Sequence, residues 1–145
     1  MAITDLYGAE ELLVKHLKPL FGNDMIFVEA NAEEIDNEFF LDFDTNSEKI
    51  AAIVLNGGYQ ADPPVGSRKS QRLKVLWQVV IVTPKELKAN GGVKCVEVLE
   101  SLMGTRLAPE YDYIKTVSDE RGFNRPDYVI DLVYMPMMFS VGTVL

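Results

Sequence analysis

From Leu73 to Val82 the chain is largely apolar on both of its alternating faces, and this run limits the fold more than any other. Val75, Trp77, Val79 and Ile81 fall on one side of an extended segment, and Leu76, Val80 and Val82 fall on the other. Side chains two residues apart share a face of a strand, so a half-solvated strand alternates apolar with polar. This one does not. A strand apolar on both faces belongs inside a sheet that carries cover on each side.

The flanking segments supply the cover. Leu6, Ala9, Leu13, Leu17 and Leu20 recur at helical spacing and predict an opening helix. Thr4 or Asp5 stands at its cap, and Gly22-Asn23 stops it. Met25 to Val28 has strand character, and Lys49 to Leu55 predicts a further strand. Between them Asn31 and Glu34 have capping-box spacing for a brief helix. After Asn56-Gly57-Gly58 neither period survives through Asp62-Pro63-Pro64-Val65-Gly66-Ser67, which predicts a long mobile loop over about 57–70.

Beyond the central strand, Thr83 stands as N-cap, Pro84 at the first helical position and Glu86 at the third. Gly91-Gly92 would delay the regular helix until after it. From Val93 to Met103 the polar stripe is only Lys94, Glu97, Glu100 and Ser101. The remaining face is wider than one sheet can cover, so the first helix or a second subunit should cover the rest. Gly104 ends the helix, and strands are expected at Tyr111 to Val117 and Tyr128 to Tyr134. Met135-Pro136-Met137-Met138-Phe139 is too apolar to stay bare in solvent.

These elements predict one α+β domain over residues 1–145, a mostly antiparallel, mixed sheet with helices packed on it. A chain of 145 residues can bury a core without disulfides. Its single cysteine, Cys95, excludes an internal disulfide and any multi-cysteine zinc site, and suggests a reducing compartment. Met1 leads straight into a polar helix start, so no signal peptide is expected, and no apolar run reaches the roughly 20 residues that span a bilayer. The net charge of −8 disfavours a protein that grips nucleic acid by its phosphates.

Chemistry is sparse. Asp42-Phe43-Asp44-Thr45-Asn46 imitates the opening of a calcium loop, but Ser47 replaces the turn glycine and Ile53 the bidentate glutamate. A solvated acidic turn is the better reading. Glu29, Glu33, Glu34, Asp36, Glu38, Asp42 and Asp44 supply carboxylates that no pattern directs into a pocket. His16, the only histidine, lies beside the apolar stripe of the first helix and reads as structural. Cys95 reads as a small buried hydrophobe, and a Cys–His pair has no flanking signature. The glycine pairs match no phosphate-binding loop. No catalytic residue, metal ligand or cofactor is therefore expected. Arg68, Lys69, Arg72 and Lys74 form one basic patch beside the long loop, suited to an acidic surface of another copy or a partner.

The order of helix, strands, long loop, central strand, glycine-marked helix and closing strands resembles the tail terminator proteins of long-tailed bacteriophages, lambda-type terminators and Mu-like minor tail proteins among them. The likeness is carried by Arg72 to Val82, by Gly91-Gly92 through Leu99-Glu100-Ser101-Leu102-Met103-Gly104, and by Asp127 to Tyr134. Two departures stand out. Thr105-Arg106 follows the helix where such proteins often have an aromatic, and the acidic stretch from Asn31 to Asp44 has no counterpart. The resemblance implies a non-enzymatic virion subunit, assembled in the host cytoplasm into a homo-hexameric ring. Such a ring caps the tail tube protein, meets a neck or head-completion protein, and lets genome DNA pass without specific binding. It contacts no membrane. Tyr59, Arg68, Lys69, Arg72, Val93, Met137 and Phe139 are the expected subunit or partner contacts. Another head–tail joining protein, or a small-molecule-binding or enzymatic α+β domain, is the alternative.

Overall fold

The computed structural model describes residues 5–21, 26–28, 50–61, 72–117, 124–129 and 131–144. Its elements in chain order are α1 (Glu10–Leu17) with a 3-10 turn Lys18–Leu20, β1 (Ile26–Val28), β2 (Ala51–Ala61) and β3 (Arg72–Pro84). A 3-10 turn Lys85–Leu87 then leads into α2 (Lys88–Leu102), followed by β4 (Lys115–Thr116), β5 (Asp127–Val129) and β6 (Leu132–Val144). The strands form one mixed sheet in the order β1-β2-β3-β6-β4, with β5 pairing the start of β6. Only β1 runs parallel to its neighbour. The fold is α+β, as the patterning predicts.

β3 is the centre. It pairs with β2 on one side and along its whole length with β6 on the other, from Arg72 opposite Val144 to Pro84 opposite Leu132. Its odd-numbered side chains, Leu73 through Ile81, join Ala52, Val54, Met137, Phe139 and Val141 under the helices. α1 contributes Leu13 and Leu17, and α2 contributes Val98 and Leu102, all at most 1% exposed. On the opposite face Val80 and Val82 cluster with Ala51, Ile53, Leu132 and Tyr134. The doubly apolar reading thus holds at the Val80–Val82 end. At the other end of that face Arg72 and Lys74 are exposed.

Several local expectations are corrected. β2 does not stop at Leu55 but continues to Ala61, so residues 57–61 of the expected loop are strand, with Tyr59 opposite Val75; the rest of that loop lies outside the described residues. Asn56-Gly57-Gly58 breaks the register without ending the strand. Between Asn56 and Tyr59, β2 advances three residues while β3 advances two, a bulge in which Gly58 takes φ +89°. Asn56 Oδ1 accepts the Gly58 amide at 2.7 Å, and its Nδ2 donates to the Leu6 carbonyl at 3.2 Å.

Thr83 is not an N-cap. It lies in β3 opposite Val133, fully buried, and α2 begins only at Lys88. The glycine pair lies inside α2 because the helix rides close on the sheet there. A Cβ on Gly91 would meet Met135 Cε at 2.5 Å and Thr83 Cγ2 at 2.6 Å, whereas one on Gly92 would meet nothing within 4 Å. Gly92→Ala should therefore stabilise by up to about 1 kcal/mol through helix propensity, and Gly91→Ala should destabilise by roughly 1–2 kcal/mol through overpacking. Denaturant unfolding of the two variants is the check, and equal midpoints would contradict the close approach.

Tyr111 to Val117 is not a continuous strand: Tyr111 makes one bridge to Thr143, and only Lys115–Thr116 pairs as β4. Tyr128 to Tyr134 is not one strand either, because the chain reverses and sets Val129 opposite Leu132 in a tight hairpin. Tyr128 is consequently exposed while Leu132 and Tyr134 are buried.

Candidate surfaces and clefts

The expected contact residues divide into three groups. Met137 and Phe139 are 8% and 1% exposed, and Phe139 stands opposite Trp77 in the middle of the sheet. They belong to the subunit's own core, Phe139 wholly and Met137 all but an edge that lines the cleft described below. The apolar segment Met135–Phe139 is the interior of β6, not an exposed end. Tyr59 and Val93, by contrast, are more than half exposed. Arg72 is exposed but makes an ion pair with Asp112, so it is already partnered within the chain. Such an exposed pair contributes about 0–1 kcal/mol. Arg68, Lys69, the acidic residues from Glu29 to Asp44 and the calcium-like turn lie outside the described residues.

The outward side of α2 carries exposed apolar side chains. Val93 and Val96, three residues apart on the helix, are more than half exposed, and so is Met103, which follows the last helical residue with an extended backbone. One turn around the helix, Gly92, Cys95 and Leu99 line an apolar cleft of about 330 Å³ against Met135, Met137 and Met138 of β6. Asn124 closes its far side. It accepts the Met138 amide at 2.9 Å and donates to the Val117 carbonyl at 3.1 Å, standing in for a strand between the stretches of β6 that pair with β4 and β5. Neither the cleft nor Asn124 is legible in the sequence, because its α2 and β6 walls lie far apart in the chain, Leu99 from Met135 and Gly92 from Met138.

Cys95 lies in this cleft with its thiol 3.9 Å from Met135 Sδ. Burial pushes the thiol up to about 11, so it stays protonated near neutrality. The thiolate is the reactive form, and this thiol is held away from it. His16 is not near it. His16 Nε2 lies 3.0 Å from Ser101 Oγ and 3.1 Å from the Ser101 carbonyl oxygen, tying α1 to the last turn of α2. Lys94 makes a second tie, donating to the Leu20 carbonyl at 2.7 Å with its ammonium 5.5 Å from the Phe21 ring centre. α1 thus covers one flank of α2 and leaves the side of Val93 and Val96 open.

A second cleft, of about 550 Å³, opens between α1 and the end of α2. Leu12, Pro19, Leu20 and Leu107 form its apolar wall, and Lys15, His16, Ser101 and Arg106 its polar one. Arg106 is held in place by donating from Nε to the Tyr111 carbonyl at 2.7 Å and from Nη2 to the Pro109 carbonyl at 2.6 Å. Among the described residues no cluster of three or more His, Cys, Asp or Glu side chains is placed to hold a metal, and no helix is long and apolar enough to cross a membrane. Compared with models of known protein families and with curated proteins, the chain matches none.

Proposed function

We propose that this chain is a ring-forming structural subunit of the tail-terminator type, which caps a phage tail tube and joins it to the neck or head. The observation that carries the reading is the outward side of α2, where Val93 and Val96, with Met103 just past the helix end, remain exposed beside the apolar cleft. Covering three half-exposed side chains contributes roughly 3 kcal/mol per contact, and a ring repeats the contact at every subunit. In a heterologous ring each copy meets its neighbour through two different surfaces, so one apolar face per subunit can be covered all the way around. The acidic surface expected at −8 net charge would let DNA pass without holding it.

The test is electron microscopy and mass photometry of the purified chain over a range of concentrations. A closed ring with a central opening is the expected result. A monomer at every concentration, alone and with isolated tail tubes, would overturn the proposal. The apolar cleft favours one other reading, a domain that binds an apolar small molecule between α2 and β6. A monomer that takes up an aliphatic fluorescent probe with one-to-one stoichiometry would support that reading instead.

A further inference from the structure

We infer that the cleft between α1 and the end of α2 receives the acidic stretch Glu29–Asp44 of a second copy of this chain. The inference rests on the assembly reading above and names its charged contact. Lys15 and Lys18 gather at the C-terminal end of α1, where the helix dipole favours cations. Arg106 brings a further positive charge to the same cleft from beyond α2. Its guanidinium is fixed by two carbonyl oxygens, which orient the charge without cancelling it. Glu11 lies one turn before Lys15 on α1, yet no ion pair of Lys15, Lys18 or Arg106 forms among the described residues. In a chain of net charge −8 this cleft is a local reversal of sign.

The complement is in the same sequence. Residues 29–44 carry seven carboxylates and no Lys, Arg or His, together with Ile35, Phe39, Phe40, Leu41 and Phe43. Carboxylates match the basic rim, and the large apolar side chains match the wall of Leu12, Pro19, Leu20 and Leu107. The basic patch read from the sequence meets this need less well, since Arg72 is already engaged by Asp112.

Charge-swap complementation tests the contact. Lys15→Glu spoils the cleft, and Glu33→Lys with Glu34→Lys spoils the stretch, so each variant alone should associate at least tenfold more weakly than wild type. Mixed one to one, the reversed cleft meets the reversed stretch while the intact pair meets its own partner, and an even-membered ring can alternate them. Association in the mixture should return to within about threefold of wild type, read by sedimentation velocity. The single-variant deficit should shrink at high salt as the charges are screened. An assembled wild type indifferent to Lys15→Glu overturns this contact alone. A deficit that mixing does not relieve also overturns it, since a contact within one chain behaves that way. A wild type that never assembles overturns the reading on which the inference rests.

Discussion

Trp77→Ala should lower stability by about 3–5 kcal/mol, the range for emptying a large buried aromatic site. Trp77 is fully buried between β2 and β6, opposite Asn56 on one side and Phe139 on the other. The strands around it are locked by pairing on both edges, so the cavity cannot collapse cheaply. For a domain of this size the loss corresponds to a melting point lower by about 10–15 °C. Its Nε1 is buried and has no acceptor among the described residues. An unpartnered donor costs about 1–3 kcal/mol, so Trp77→Phe, which removes the N–H together with some volume, should cost clearly less than Trp77→Ala. Thermal and urea unfolding of both variants decide the matter. A Trp77→Ala protein that melts with wild type would mean that β3 is not the centre of the sheet.

The second large effect is expected on assembly. Replacing Val93 and Val96 together by Glu leaves the core untouched, because both side chains are more than half exposed. The variant should fold with a melting point within about 2 °C of wild type, as surface substitutions do. Its association should fall by about a hundredfold or more, since burying a carboxylate without a partner costs on the order of 3 kcal/mol or more. Mass photometry of wild type and variant at matched concentrations gives the comparison. Rings of undiminished stability in the double variant would remove this side of α2 from the interface and leave another surface to hold the copies together. The two experiments separate the roles of two apolar sets that look alike in the sequence. Trp77 and Phe139 hold one subunit together, and Val93 and Val96 are the proposed contact with the next.

That contrast explains where sequence reading of this chain succeeds. Local periodicity determines element type: strict helical recurrence of Leu13 and Leu17, and the doubly apolar run of β3, follow from the 3.6- and 2-residue repeats of the backbone itself. After α2 the chain turns over Leu102–Thr105, where Met103 is extended and Gly104 at φ +74° takes the left-handed position that its lack of a Cβ permits, and that too is local. The α+β class follows from these elements because a strand apolar on both sides and two amphipathic helices can bury those faces only by layering.

What depended on distant segments was decided by the tertiary structure. Met135 to Phe139 is apolar whether its cover comes from β3 or from another protein, and only the thirteen-residue pairing with β3 assigns it to the subunit's own core. Pro136 does not disqualify that strand, since it falls between the stretches paired with β5 and β4, where one edge of β6 has no partner strand among the described residues. Gly91 reads as a helix breaker until Thr83 and Met135 are brought against it, after which its missing Cβ is what lets the helix sit down on the sheet. Asn56-Gly57-Gly58 reads as the end of a strand until β3 lies beside it and turns it into a bulge. In each case the residue's local preference is weak and the outcome is set by contacts between segments far apart in the chain, which local periodicity does not encode.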